Sequence, residues 1–153
     1  MSWKTRINHL WPDVTFFPPA DQTMITHAEH TLQIRFPAEL IALFRETDGF
    51  TAHYATPYLF RLAMDVPAYD QLVGQNLLMQ TTPDFADLYA PFDDILVIGA
   101  DGGGSLFGYQ LVAGQVTSTI LLWDHETDDR TPVSMTGLDG YLAAAAKFRH
   151  DDS

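Results

Sequence analysis

One apolar run, Ile95–Ile98, constrains the fold of this chain more than any other feature of its sequence. Four consecutive aliphatic residues of this kind are typical of a central, buried strand. This run is followed by a turn at Asp101–Gly104 and a segment of alternating residues over 106–111. A second turn at Gly114–Gln115 then leads to a β-rich segment over 116–123. Because strands joined by such short turns run antiparallel, the sequence predicts an antiparallel meander over residues 94–123.

A helical hairpin is predicted ahead of the meander. Apolar residues recur at helical spacing from Met24 to Leu32, and Asp21 or Thr23 can cap that helix at its N-terminus. Pro37 suits the start of a second helix, which Gly49 would end in a left-handed conformation. Between the hairpin and the meander the sequence patterns are weaker. They indicate a strand over 58–62, a helix over 67–78 and one or two helical turns over 83–89.

The end of the chain reads as a polar loop over 124–136 and a last amphipathic helix over 138–145. Helices first, a meander next and a closing helix last indicate an α+β fold with a central, mainly antiparallel sheet. A length of 153 residues favours a single domain, residues 1–153.

The charge of the chain excludes several classes of partner. Twenty acidic and eight basic side chains give a net charge of −12, of which −9 falls after residue 83. Such a charge opposes direct binding to a nucleic-acid backbone or an anionic membrane, and it favours a basic partner. The chain has no cysteine, no apolar run long enough to span a membrane and no signal-peptide pattern at residues 1–6, so we expect a cytoplasmic protein.

Two motifs resemble ligand sites without meeting their requirements. The run Gly102–Ser105 follows an apolar strand, as a phosphate-binding loop does, but no lysine follows it and the next element reads as a strand. His27 and His30 lie three residues apart, whereas the zinc-protease pattern places its histidines four apart. We therefore predict a β-turn at the first motif, a solvated helix face at the second, and no metal or cofactor.

The segment Asp124–Arg130 is the richest cluster of polar side chains, and three interpretations stay open for it. Arg130 can pair with a carboxylate and pin the loop, the acids can bind a partner, or they can hold a hard cation. His125 is a nominal general base, but neighbouring residues of a strand end point to opposite faces and no nucleophile signature accompanies it. The sequence therefore predicts no catalytic residue.

These motifs together resemble the SUKH superfamily, the relatives of the yeast Smi/Knr cell-wall-assembly regulator. The resemblance rests on the hairpin of residues 17–50 and on residues 94–145, above all on the run Trp123-Asp124-His125-Glu126-Thr127-Asp128-Asp129-Arg130. Ser105 departs from one bacterial branch, which often has Asp after the glycines. The resemblance implies an α+β domain without known catalysis, and many bacterial members resemble immunity proteins that neutralise a toxin, often a nuclease.

Three functions are consistent with this sequence. The first is an immunity protein that binds a basic toxin domain; the second is an intracellular scaffold or regulatory module; the third is a small metal- or ligand-dependent enzyme. The first is favoured, since it unites the resemblance with the acidic second half of the chain. The side chains predicted to bind the partner are acids at turns and loops: Asp48, Asp101, Asp124, Glu126, Asp128 and Asp129.

Overall fold

In the computed structural model, the backbone is described for residues 2–151 and the side chains for residues 2–147. The structure contains six α-helices: α1 (Trp3–Leu10), α2 (Gln22–Leu32), α3 (Ala38–Glu46), α4 (Leu72–Thr81), α5 (Pro83–Leu88) and α6 (Leu138–Asp151). A short 3-10 helix, Ala68–Asp70, precedes α4. The predicted hairpin is α2 and α3, and the Asp21 carboxylate caps α2 by accepting a 2.9 Å hydrogen bond from the Met24 N–H.

Seven strands form two antiparallel sheets. The first sheet contains β1 (Thr15–Phe16), β2 (Phe50–Ala52) and β3 (Thr56–Leu59). The second contains, in spatial and chain order, β4 (Ile95–Ala100), β5 (Leu106–Val112), β6 (Gln115–Trp123) and β7 (Arg130–Ser134). The two sheets meet where the Phe60 N–H donates a 2.7 Å hydrogen bond to the Ile98 carbonyl. The predicted α+β class and the antiparallel meander are confirmed.

Three details of the predicted secondary structure are wrong. The polar loop expected over 124–136 contains the edge strand β7, in which Pro132 is tolerated because an edge strand needs fewer ladder donors. The single helix expected over 67–78 is divided into the 3-10 helix and α4. The strand expected over 58–62 is β3, which begins two residues earlier and ends at Leu59.

Helix α4 is fixed to the second sheet by one buried side chain, Asn76. Its amide group donates a 2.8 Å hydrogen bond to the Val97 carbonyl and accepts a 2.9 Å bond from the Val97 N–H. Asn76 thereby completes the hydrogen bonding of β4 at that point, as a neighbouring strand would. Because both donor and acceptor of the buried amide are satisfied, α4 keeps a defined position beside the sheet.

Candidate partner-binding site

Two of the predicted acidic segments lie side by side at one end of the second sheet. We call residues Asp101–Ser105 the glycine turn and residues Asp124–Asp129 the acidic loop. They are neighbours because β5 and β6 pair with Leu106 opposite Trp123, which brings the residues at the ends of both strands together. The Ser105 Oγ lies 3.1 Å from the His125 Nδ1, and a Cβ on Gly104 would come within 2.9 Å of the His125 ring. A side chain at this position would displace the ring, and the φ of 103° at Gly104 also favours glycine.

Asp101 shapes the glycine turn while remaining at the surface. Its Oδ1 accepts hydrogen bonds from the Gly103 N–H at 2.8 Å and from the Ser105 N–H at 3.1 Å. The residue as a whole is exposed, so its charge faces solvent. The segment joins β4 to β5 as a short loop, and the element that follows the glycines is a strand and not a helix.

Asp128 is held in place from three sides. Its carboxylate accepts 2.8 Å hydrogen bonds from the Trp123 indole N–H and from the Ala90 N–H, and the Arg130 guanidinium lies 3.4 Å away. Burial tends to raise the pKa of Asp128, but these bonds and the positive charge outweigh it, so that the pKa lies below its ordinary value. The Asp128 carboxylate is therefore largely occupied by hydrogen bonds and an ion pair within the fold.

Arg130 pins the acidic loop to the segment before β4. Besides Asp128, it forms an ion pair with Asp94 at 3.2 Å and donates hydrogen bonds to the carbonyls of Ala90 and Pro91 at 3.1 and 3.3 Å. Its guanidinium also lies 5.0 Å from the centre of the Phe92 ring. The structural role that the sequence offered for Arg130 is thus present, with Asp94 as an additional partner that sequence reasoning missed.

Asp48 lies in the interior and not on the predicted surface. It is 1% exposed, and its carboxylate accepts hydrogen bonds from the Leu62 N–H at 2.6 Å and the Ala63 N–H at 3.2 Å. It also pairs with Arg61 at 3.3 Å. The expectation that Asp48 belongs to an exposed acidic surface is wrong, because the chain after β3 folds back over the end of α3 and uses this carboxylate to satisfy the N–H groups of Leu62 and Ala63.

The remaining predicted acids divide by exposure. Asp101, Glu126 and Asp129 are exposed, whereas Asp124 and Asp128 are half-buried. The Asp124 carboxylate accepts a 2.9 Å hydrogen bond from the Glu126 N–H, which fixes the start of the acidic loop. The structure therefore brings together five of the six predicted residues, and the three exposed ones leave their charges at the surface.

A cleft of about 570 Å³ adjoins the glycine turn and the acidic loop, and nothing in the sequence analysis located it. Ser105 and His125 lie on one side of it, and α4 and α5 contribute apolar side chains that include Leu78, Met79 and Phe85. Its residues come from five separate parts of the chain. Such a site is created only by the tertiary fold, so no local motif could have indicated it.

The hairpin between β2 and β3 contributes Ala55 to this cleft and contains an exposed aromatic residue immediately before it. His53, Tyr54 and Ala55 all have positive φ angles, of 50°, 62° and 61°, although none is glycine. Each such residue costs about 1 kcal/mol, and strain of this kind is often found at functional sites. Tyr54 is 94% exposed, and the next residue, Ala55, lines the cleft.

The chemistry of these groups does not complete a catalytic centre. The Ser105 hydroxyl also lies 3.4 Å from the His125 backbone N–H, so it links two loops. Among residues 2–147, no carboxylate contacts the Nε2 atom of His125, although a nucleophile–base pair is usually oriented by such a third group. Within the same part of the chain, no group of three His, Asp or Glu side chains is arranged to hold a metal ion.

Comparison with known proteins places this architecture in a family. A model of the SMI1 / KNR4 family (SUKH-1) matches residues 19–136, which is well over half of the chain. The chain belongs to the SUKH-1 family. The SUKH resemblance predicted from the sequence is thereby confirmed, and no curated protein matches the chain closely enough to count as a relative.

The SUKH-1 match contains the glycine turn, the acidic loop and the whole cleft, and it leaves α1 and α6 outside. Domains of the SUKH family are generally non-enzymatic and typically bind protein partners. In the part of this SUKH-1 chain that the structure describes, no helix combines the length and the apolar character needed to cross a membrane.

Proposed function

We propose that this SUKH-1 domain is a non-catalytic immunity protein that binds and neutralises a basic bacterial toxin domain, such as a nuclease, in the cytoplasm. The observation that carries the proposal is the charge of the segment from which the glycine turn and the acidic loop come. Residues 62–129 contain eleven acidic side chains and no lysine or arginine. The exposed acids at one end of the second sheet, Asp101, Glu126 and Asp129, are the proposed contact residues.

Electrostatics explains why such a surface suits a toxin that acts on nucleic acid. A nuclease must attract phosphate, so its active cleft is positive, and an acidic surface can occupy that cleft. Opposite charges also steer the two proteins together and raise the association rate constant. Because salt screens this attraction, association should slow as ionic strength rises.

The test is co-expression with the toxin domain encoded next to this gene. The wild-type protein should restore growth of cells that produce the toxin. Unchanged toxicity in its presence would contradict the proposal. For purified proteins, the double variant Glu126→Gln/Asp129→Asn should lower the association rate constant roughly tenfold at low ionic strength, and less at physiological salt.

A matched control keeps the charge argument specific. Asp65 is also exposed, but it lies beside the pair Asp48–Arg61 and outside the cleft that adjoins the acidic loop. Asp65→Asn should therefore leave the association rate within about twofold of wild type, since distant exposed charges are screened. An effect of Asp65→Asn as large as that of Glu126→Gln or Asp129→Asn alone, each of which also removes one charge, would show that net charge acts without a defined contact surface.

A regulatory interaction module without a toxin partner is the second candidate, and apolar exposure favours it. Leu77, Leu78 and Leu88 on α4 and α5 are 36%, 46% and 68% exposed. Helices α4 and α5 contact each other, and exposed apolar side chains on neighbouring elements are often found at protein–protein interfaces. A partner that binds through these leucines, with an affinity independent of salt, in a cell without the toxin gene, would favour this candidate over the first.

A further inference from the structure

The cleft beside the acidic loop has the composition of a pocket for an aromatic side chain. Besides the imidazole of His125, its lining includes five aromatic side chains and one methionine: Phe60, Tyr69, Phe85, Tyr89, Trp123 and Met79. The Tyr89 and Trp123 rings already meet edge to face, with centroids 5.0 Å apart and planes at 89°. A further ring that enters such a group gains about 0.5–1.5 kcal/mol per aromatic contact beyond its buried area.

The size and polarity of the cleft agree with this kind of occupant. Its volume of about 570 Å³ lies in the range of small-molecule pockets, so it has room for a large side chain and its neighbours. Two side chains at its mouth, Tyr69 and Leu78, are 64% and 46% exposed, although both are apolar enough to favour burial. A ligand that covered them would therefore remove apolar area from water.

The charges around the cleft specify what must accompany that side chain. Asp70 is the one carboxylate among the residues that line it, and no lysine or arginine is among them. Asp101 precedes the lining glycine Gly102, and Glu126 follows His125; both acids are exposed. We call Asp101 and Glu126 the acidic rim of the cleft. An apolar pocket with such a rim complements an aromatic side chain that has lysine or arginine beside it.

We propose that this cleft is the anchor site for a segment of a partner protein in which an aromatic residue is flanked by lysine or arginine. The inference rests on the proposed function, because it specifies the chemistry of the partner at the same surface. The aromatic side chain enters between α4, α5 and the end of β6, and its basic neighbours face Asp101 and Glu126. In this arrangement the cleft supplies affinity and the acidic rim supplies orientation.

The first experiment uses blocked peptides and does not require the natural partner. Acetyl-Lys-Phe-Lys-amide is titrated into the full-length protein and followed by NMR at the indole N–H of the tryptophans. The Trp123 signal should shift, because Trp123 lines the cleft, whereas the signals of Trp3 and Trp11, which do not line it, should stay in place. Acetyl-Lys-Ser-Lys-amide and acetyl-Glu-Phe-Glu-amide, which lack the aromatic ring and the positive charges respectively, should bind at least fivefold more weakly.

Adjacent leucines of α4 provide a matched pair of variants. Leu78 lines the cleft and Leu77 does not, although both are exposed. Leu78→Ser should weaken binding of acetyl-Lys-Phe-Lys-amide at least threefold, and Leu77→Ser should leave it unchanged. Gln75→Trp, which places a large side chain at a half-buried position of the lining, should abolish binding by filling the cleft.

Each remaining outcome decides against the proposal. Equal binding of all three peptides, equal effects of Leu77→Ser and Leu78→Ser, or a shift of Trp3 or Trp11 alone would overturn it. Concentration-dependent dimerisation that Leu78→Ser removes would also overturn it, since a second copy would then occupy the cleft. The toxin co-expression test is independent of these results. Neutralisation of the toxin without peptide binding would overturn only the proposed anchor site, and peptide binding without neutralisation would overturn only the immunity function.

Discussion

The Tyr109 hydroxyl donates a 2.7 Å hydrogen bond to the carboxylate of Glu39, which lies 70 residues earlier in the chain. The same Glu39 oxygen accepts a 3.0 Å bond from the Leu138 N–H at the start of α6. One carboxylate thus joins the helical hairpin, the central strand β5 and the last helix.

Replacement of Glu39 by alanine should destabilise the protein by about 2–4 kcal/mol, since it removes a helix cap and leaves the buried Tyr109 hydroxyl without its acceptor. Glu39→Gln keeps a carbonyl oxygen at this position and should cost less. Urea denaturation followed by circular dichroism measures both changes in the free energy of unfolding. A loss for Glu39→Ala no larger than that of a surface substitution would show that Glu39 does not hold these elements together.

Stability should decline in strong alkali partly because of Tyr109. Burial, together with the hydrogen bond to Glu39 and its negative charge, raises the pKa of Tyr109 far above its ordinary value. The unfolded chain loses this proton near pH 10 and the folded chain keeps it, so the free energy of unfolding falls as pH rises above about 10.

Tyr109→Phe should reduce the steepness of that decline by about 1.4 kcal/mol per pH unit, the contribution of one proton. Tyr141, whose pKa burial also raises, remains in this variant and should preserve part of the decline. The measurement is urea denaturation at a series of pH values from neutral to strongly alkaline. Identical slopes in wild type and variant would contradict the assignment of this proton to Tyr109.

The opposite sign applies to Asp128, whose folded pKa is depressed. Its contribution to stability is present above the unfolded pKa of about 3.9 and is lost as pH falls through the lower, folded pKa. Asp128→Asn should therefore lower stability at neutral pH and make stability less sensitive to acid below pH 4.

Asp129→Asn is the control for this experiment, because Asp129 is exposed and its carboxylate makes no hydrogen bond or ion pair within residues 2–147. Thermal unfolding from acidic to neutral pH compares the two variants. If the stability of both variants depends on pH in the same way, the prediction for Asp128 is wrong.

The ion pair of the buried Asp48 with the half-buried Arg61 predicts a variant that loses stability without losing the binding surface. Asp48→Asn should cost about 3 kcal/mol, since it leaves the Arg61 charge unpaired and disturbs the acceptor of the Leu62 N–H. Asp65→Asn, nearby and exposed, should change stability by less than about 0.5 kcal/mol. Folded Asp48→Asn protein at low temperature should bind the toxin domain with wild-type affinity, and a specific loss of affinity would return Asp48 to the contact surface.

Sequence reasoning succeeded where a local pattern determines the structure. The apolar run at Ile95–Ile98 and the turns after it define the meander, and Asp21 caps the first helix of the hairpin. The second helix ends at Glu46 with the extended residue Thr47 as its cap, so the left-handed Gly49 lies beyond the helix and does not end it. It missed α1, whose apolar residues are few, and the strands β1 and β2 of the first sheet, which are two and three residues long. Such short elements are set by tertiary contacts and not by local preference.

The candidate site divides in the same way. The exposed acids of the acidic loop were accessible to sequence reasoning because they belong to one continuous run. The contact of Ser105 with His125 follows from the register between β5 and β6, which the sequence does not state. In the sequence, Asp48 resembles an ordinary acid at a helix end. The N–H groups that donate hydrogen bonds to its carboxylate belong to Leu62 and Ala63, fourteen and fifteen residues later.

The cleft is built from residues that range from Ala55 to His125, and so it exists only while the chain is folded. A partner that occupies it cannot bind the unfolded chain in the same way. At a hundredfold excess over its dissociation constant, such a partner would add about 2.7 kcal/mol to the free energy of unfolding. Partner supply would then govern how long each molecule survives proteolysis in the cell, and the uncomplexed protein would be the form removed first.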